Sequence, residues 1–248
     1  MSERTGSLAS DRETPDVASS SPDYARRFSG PIGAWFLKRQ AALTLEALSL
    51  DSSASILDVG GGHAQLAPTL LQAGMDVVVY GSPEASIERI LPWSGSPRCE
   101  LVAGDLARLP FADRSFDAAL CFRILPHLSN WRTMVHELCR VSARTVVLEY
   151  PSRRSLNIAS RLLFRFKRRI ESDTREYRLF STSEIRKPIE ASGFTITAEY
   201  PQFLFPMVFH RMHGSPLSAH LLEAPCRALR LTRLLGSPVI ARAERRQA

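Results

Sequence analysis

Apolar and polar positions along this chain switch between two periods, and the switching lays out an α/β plan. Short apolar runs end on polar residues or glycine: Ser55-Ile56-Leu57 before Asp58, Asp76 to Tyr80, Cys99 to Ala103, Phe116 to Phe122 and Thr145 to Tyr150. Between them lie helical spacings, such as Leu66, Leu70 and Leu71, and a segment from Asn130 to about Val141. Ser82-Pro83-Glu84 carries a cap residue, a first-turn proline and an acid, which predict a helix start. Ser181 to Glu184 forms a capping box, and its helix is expected to end at Gly193. Phe194 to Tyr200 and Phe203 to Phe209 read as the last two of seven strands. Strands joined by helical crossovers predict a Rossmann-like, mostly parallel sheet with helices on both faces.

The flanking segments follow other patterns. Residues 1–20 are polar and lack an apolar repeat, so they are expected to be disordered. A helical cover is expected over 23–49, interrupted at Gly30-Pro31 and Gly33. After the fifth strand, a basic helical insertion is expected over 152–178, with Leu156, Leu163 and Phe166 opposite Arg161, Arg165 and Arg168. The domain is expected to span 21–214, leaving 215–248 as a basic C-terminal extension.

At 248 residues the chain can hold one large core, and 44% hydrophobic with 23% charged residues is ordinary for a globular protein. No apolar run reaches the ~20 residues of a membrane span. The N-terminus lacks the apolar segment of a secretory signal, so a cytoplasmic protein is expected. Cys99, Cys121, Cys139 and Cys226 show no metal-ligand spacing and read as reduced thiols, with no metal site. The net charge of +7 is uneven: 152–178 is +6, and the stretch from Pro225 to the end is +5. A basic amphipathic insertion of this kind suits an anionic or lipid-linked acceptor, or peripheral contact with an anionic membrane face. Nucleic acid is a poorer partner, because no recognisable module accompanies the charge.

The chemistry concentrates in Ile56 to Gln65, I-L-D-V-G-G-G-H-A-Q. Strand, glycine turn and helix bring backbone close to a nucleotide-like ligand. The dinucleotide fingerprint needs a small residue three after its second glycine, and Gln65 stands there, which disfavours a nicotinamide oxidoreductase. Asp58-x-Gly60-x-Gly62-x-Ala64 instead resembles the first motif of class I S-adenosylmethionine-dependent methyltransferases. Three further matches share the family's order: Gly104-Asp105-Leu106 with Leu109-Pro110-Phe111, Ser115-Phe116-Asp117-Ala118-Ala119, and Glu184-Ile185 through Gly193-Phe194. The resemblance covers roughly Leu50 to Phe209 and is closest to the quinone-biosynthesis group.

This resemblance implies S-adenosylmethionine as cofactor and methyl transfer to a small-molecule or lipid-like acceptor. It implies cofactor contacts from Asp58, Gly60, Gly61 and Gly62, from Tyr80, Gly81 and Ser82, and from Asp105, Leu106 and Arg123. Asp58 would face the cationic amino group, and Asp105 the adenine amino group. The family carries an acid at the end of the second strand where this chain has Tyr80, so Ser82 or Glu84 is expected to compensate. A non-catalytic nucleotide-binding protein of the same fold is the alternative that Tyr80 motivates. Arg123 suits either an anionic ligand group or a neighbouring acid. His127, just past the fourth strand, is the candidate base; His210 and His213 could also line an acceptor pocket.

Overall fold

The computed structural model describes residues 13–155 and 178–246. Residues 1–12, most of the basic insertion (156–177) and 247–248 lie outside the described residues, and with them Arg161, Leu163, Arg165, Phe166 and Arg168.

Seven strands form one sheet in the order β3-β2-β1-β4-β5-β7-β6. They are β1 (Ser55–Val59), β2 (Asp76–Gly81), β3 (Cys99–Ala103), β4 (Phe116–Cys121), β5 (Ser142–Tyr150), β6 (Phe194–Pro201) and β7 (Val239–Arg245). The first five strands are parallel, and β7 runs antiparallel between β5 and β6. Helices described are α1 (Pro15–Ser20), α2 (Pro22–Arg26), α3 (Gly30–Leu48), α4 (Ala67–Gln72), α5 (Trp131–Val141), α6 (Thr182–Ala191), α7 (Met207–His213), α8 (Pro216–Ala228) and α9 (Leu231–Leu235).

The alternation of each strand feeds two cores. Leu57, Val59, Val146 and Leu148 pack with Trp131, Val135 and Leu138 of α5 and with Ile185 and Ile189 of α6. On the opposite face, Ile56, Val77, Leu120 and Val147 pack with Leu43 and Ala47 of α3 and with Leu70 of α4. Asp117 pins the start of the central pair, accepting from the backbone N and hydroxyl of Ser55 at 2.9 Å each. The strand order reverses between β1 and its neighbours β2 and β4, which opens a crevice at their carboxyl ends.

Four expectations change. The last strand is Val239–Arg245, and 203–209 instead enters α7. Phe203 and Leu204 are buried, but they pack without pairing, and Pro206 precedes the helix. The true strand escaped notice because Arg242, Glu244 and Arg245 resemble tail residues, while its buried side chains are Val239, Ile240, Ala241 and Ala243. The sheet therefore reaches into the segment expected to be a C-terminal extension. No helix follows Ser82; the chain turns until a short 3-10 turn at Leu91–Trp93. Ser82 donates its hydroxyl and backbone N to Asp16 in place of capping a helix. Asp16 also overturns the disorder expected for residues 13–20, since α1 is folded with Pro15, Asp16, Ser19 and Ser20 buried. Gly33 lies inside α3 and does not interrupt it.

Candidate functional site

The turn after β1 stands at the reversal point of the sheet. Gly60 has φ of +77°, the left-handed region where a side chain is strained, and its N–H donates to Tyr80 O at 2.7 Å. Beneath the next residue lies the Asp58 carboxylate, so close that a Cβ at Gly61 would collide with it. Asp58 is fully buried, and neither carboxylate oxygen has a hydrogen-bond partner among the described residues. Burial pushes its pKa up to about 7. A buried carboxylate without a partner is unstable as an anion and is suited to receive a cation. His63, in the same turn, is held neutral: burial, with help from the Arg123 charge, lowers its pKa to about 3.

Around this turn the structure gathers Gly60, Gly61, Gly62, Gly81 and Ser82. Asp105 and Leu106 follow β3 on the same edge. Asp105 accepts from Ala107 N at 2.8 Å through one carboxylate oxygen, and Leu106 is buried. Arg140 holds the following loop by donating to the carbonyls of Leu109 and Phe111. Tyr80 does not face the edge. Its ring is fully buried against Phe111, and its hydroxyl donates to Asp105 O at 2.9 Å, so it acts as a core strut. Glu84 is exposed, and Ser82 is already engaged by Asp16.

Asp16 belongs to α1, which lies across this edge. Ser82 N reaches its carboxylate at 2.6 Å, and Ser20 accepts from Ser86 N at 2.9 Å. A Cβ at Gly62 would stand 3.0 Å from Ser86 O and 3.7 Å from Ser20 Cβ. Just before α1, Glu13 accepts from Ser129 N at 2.6 Å, near the start of α5. The short polar segment expected to be free is thus strapped over the glycine turn.

Beyond β4 the crevice holds a buried polar cluster that sequence reasoning missed. Arg123, with φ of +67°, pairs with Glu149 of β5 at 3.3 Å and donates to Gln40 of α3. Gln202 donates to the other Glu149 oxygen at 2.7 Å, and the guanidinium lies 4.9 Å over the Phe28 ring. Burial raises the Glu149 pKa, and the Arg123 charge and Gln202 oppose it. Arg123 thus has a neighbouring acid, Glu149, as its ion-pair partner. The available signal was Glu149 itself, a lone acid inside the apolar strand T-V-V-L-E-Y.

The histidines separate. His127 is exposed on the 3-10 turn Leu125–His127 that follows β4. His210 is buried among Trp35, Phe36, Phe203 and Phe209, with Nε2 3.0 Å from Glu223. Burial would raise the Glu223 pKa, but His210 and the N–H groups of Leu204 and Phe205 hold it below its ordinary value. His213 is exposed against the Phe209 ring. Among the described residues no group of His, Cys, Asp and Glu is arranged to hold a metal.

Comparison with known proteins agrees with this geometry. The family model for the methyltransferase domain matches residues 57–147, from β1 into β5. A demethylmenaquinone methyltransferase from Beutenbergia cavernae is 34% identical over 149 residues, 56% of this chain and 60% of the relative. The chain thus spans less than two thirds of that relative's length. Among solved structures, magnesium protoporphyrin IX methyltransferase from Synechocystis, with bound S-adenosylhomocysteine, superposes with a TM-score of 0.60. The alignment has 17% identity and covers 90% of this chain and 93% of the other. The cyclase SpnF superposes with a TM-score of 0.54 at 19% identity, over 85% and 81% of the two chains. Likeness at that level shows fold and leaves activity to the site. The matched segment opens on the glycine turn, and the sheet order agrees with it: the chain has the class I S-adenosylmethionine-dependent methyltransferase fold, and residues 57–147 are similar to the methyltransferase domain.

Proposed function

We propose that this chain binds S-adenosylmethionine at the β1 turn and transfers its methyl group to a small apolar acceptor such as a quinone. The observation that carries the reading is Asp58: a buried, unpartnered carboxylate directly beneath a glycine turn. The cofactor's cationic amino group is the complement that such a carboxylate lacks. When bound, the cofactor supplies an electrophilic methyl group on a sulfonium. The chain's part is to hold the two reactants in line and keep water out. Gly60 and Gly62 keep the turn free of side chains, and Asp105, Leu106, Gly81 and Ser82 are the residues that would hold the adenosyl portion, Asp105 as an acceptor and Leu106 through its N–H. Tyr80 supports this edge from the core. His127 takes the acceptor's proton where the acceptor must lose one. The quinone class draws its support from likeness to the demethylmenaquinone methyltransferase.

In this reading α1 competes with the cofactor. Ser20 stands over Gly62, and Asp16 occupies Ser82, so the strap lifts before the ligand reaches the turn. A second reading, a ligand-binding protein without catalysis, is favoured by that same cover and by the core position of Tyr80. Calorimetric titration separates the readings, using S-adenosylhomocysteine and NAD as ligands and then a methyl-transfer assay with a demethylated quinone. Binding of S-adenosylhomocysteine and turnover support methyl transfer; binding without turnover on any quinone supports the second reading. Binding of NAD alone sinks the methyl-transfer reading.

A further inference from the structure

Ten large apolar side chains stand exposed among the described residues, and eight of them fall between Met212 and Leu235. Leu217, Leu221, Leu229 and Leu234 are 63% to 70% exposed. The helical faces explain the concentration. In α8, Ala219 and Glu223 turn inward one turn apart. Leu217, Leu221, Pro225 and Ala228 recur at i, i+4, i+8 and i+11 on the outward side. α8 packs against α3, and α9 packs against both α8 and β6, so their leucines are left without cover beside the outer edge of the sheet. Soluble domains scatter such residues singly; a concentration marks a contact surface.

Charge selects the partner. Between Met207 and Leu235 the chain has four arginines and one acid. That acid, Glu223, is buried and spent on His210, Leu204 and Phe205. The outward charge is therefore entirely basic, with exposed Arg230 and Arg233 alternating with Leu229, Leu231 and Leu234. A second copy of the chain suits this face poorly, since a two-fold contact sets the same arginines against each other. A bilayer rich in anionic phospholipid satisfies both features: leucines enter the acyl boundary while guanidinium groups meet phosphate. Among the described residues no helix is long and apolar enough to cross a membrane, which leaves a helix pair lying flat.

We propose that α7, α8 and α9 form a docking surface for an anionic lipid bilayer. The surface belongs to the last quarter of the chain and is distinct from the basic insertion. It does not depend on the cofactor reading. The full chain is sedimented with phosphatidylcholine vesicles and with vesicles also containing phosphatidylglycerol, at low and high salt. Wild type is expected to pellet with the anionic vesicles and to be released by salt, because exposed charges are screened. Arg230→Gln with Arg233→Gln should weaken binding about fivefold per arginine, the scale for a basic residue near an anionic surface. Replacing Leu217, Leu221, Leu229 and Leu234 with glutamine should abolish binding. Both variants should bind S-adenosylhomocysteine as wild type does, and their circular dichroism melts should confirm folding. Wild type remaining in solution with anionic vesicles overturns the proposal, as does a leucine variant that pellets like wild type. Concentration-dependent dimerisation lost in the leucine variant, without vesicle binding, assigns the face to a second copy and also overturns it.

Discussion

The crevice at the ends of β1, β4 and β5 buries charge, whereas the α7–α9 face exposes leucine. Each inverts the ordinary rule of burial, and each inversion carries a different cost. Asp58, Arg123 and Glu149 sit in low dielectric, where an anion or cation is costly unless paired. Leu217, Leu229 and Leu234 in water forgo stabilisation but break nothing. The crevice should therefore be sensitive to every change, and the surface nearly indifferent to changes that leave its partner aside.

The largest effect is expected at the buried pair. Arg123→Ala leaves Glu149 beside Gln202 without its cation, which should cost about 3–5 kcal/mol. Chemical denaturation of the two proteins checks it. A loss below about 1 kcal/mol would show that the crevice is hydrated and that the contrast between the regions is weaker than their burial suggests.

Asp58 offers a second test, through pH. Its folded pKa of about 7 lies above the ordinary 3.8, so the folded state holds a proton that the unfolded state releases between those values. Stability is complete below pH about 4 and declines as pH rises through 7. Asp58→Asn should lack this decline, the difference between the two proteins approaching roughly 4 kcal/mol at most. Ligand binding runs the other way. A bound ammonium favours the carboxylate, so wild-type affinity for S-adenosylhomocysteine should rise with pH toward 7, with proton release measurable in buffers of differing ionisation enthalpy. In Asp58→Asn affinity should fall by at least ~1.5 kcal/mol, the scale of a charge-assisted hydrogen bond, and lose that pH dependence. Equal pH profiles for the two proteins would remove Asp58 from the site.

The strap comes next. Asp16→Ala removes the acceptor of two Ser82 hydrogen bonds and frees α1. Affinity for S-adenosylhomocysteine should rise by about 1.5 kcal/mol, roughly tenfold, as one charged hydrogen-bond arrangement ceases to compete. Proteolysis within 13–28 should accelerate in parallel. A fall in affinity would make Asp16 a ligand contact and end the competition.

How much of this was legible depended on whether the sequence signal was local. The glycine turn, the capping box and the first six strands are encoded by neighbours: Asp58 to Gly62, Ser181 with Glu184, and apolar runs of strand length. The Ser181 cap is formed as expected, with Glu184 bonded to Ser181 N and a pKa lowered to about 2. Partners distant in sequence were hidden. Asp16 meets Ser82 across 66 residues, Arg123 meets Gln40 across 83, and Gln202 meets Glu149 across 53. Polar residues 13–20 read as disordered because their apolar content is small, yet serines and an acid can dock by hydrogen bonds to a turn. β7 was missed for a related reason: pairing on both sides stabilises a strand whose own residues, Arg242, Glu244 and Arg245, carry little β signal.

The smallest effect belongs to the leucine face, and its smallness is the point. Leu217, Leu221, Leu229 and Leu234 contribute little to the core, so each glutamine substitution should change folding stability by no more than about 0.5 kcal/mol. Thermal unfolding of the quadruple variant should then stay within about 2 kcal/mol of wild type, since exposed and separated sites are close to additive. With anionic vesicles present the two should diverge, because a surface that binds only the folded state stabilises it in proportion to occupancy. Wild type should gain melting temperature and the variant should not. If the variant instead loses stability without any vesicle present, its leucines are packed against the chain. The contrast between a crevice built at a cost and a face held in reserve would then fail on the side of the face.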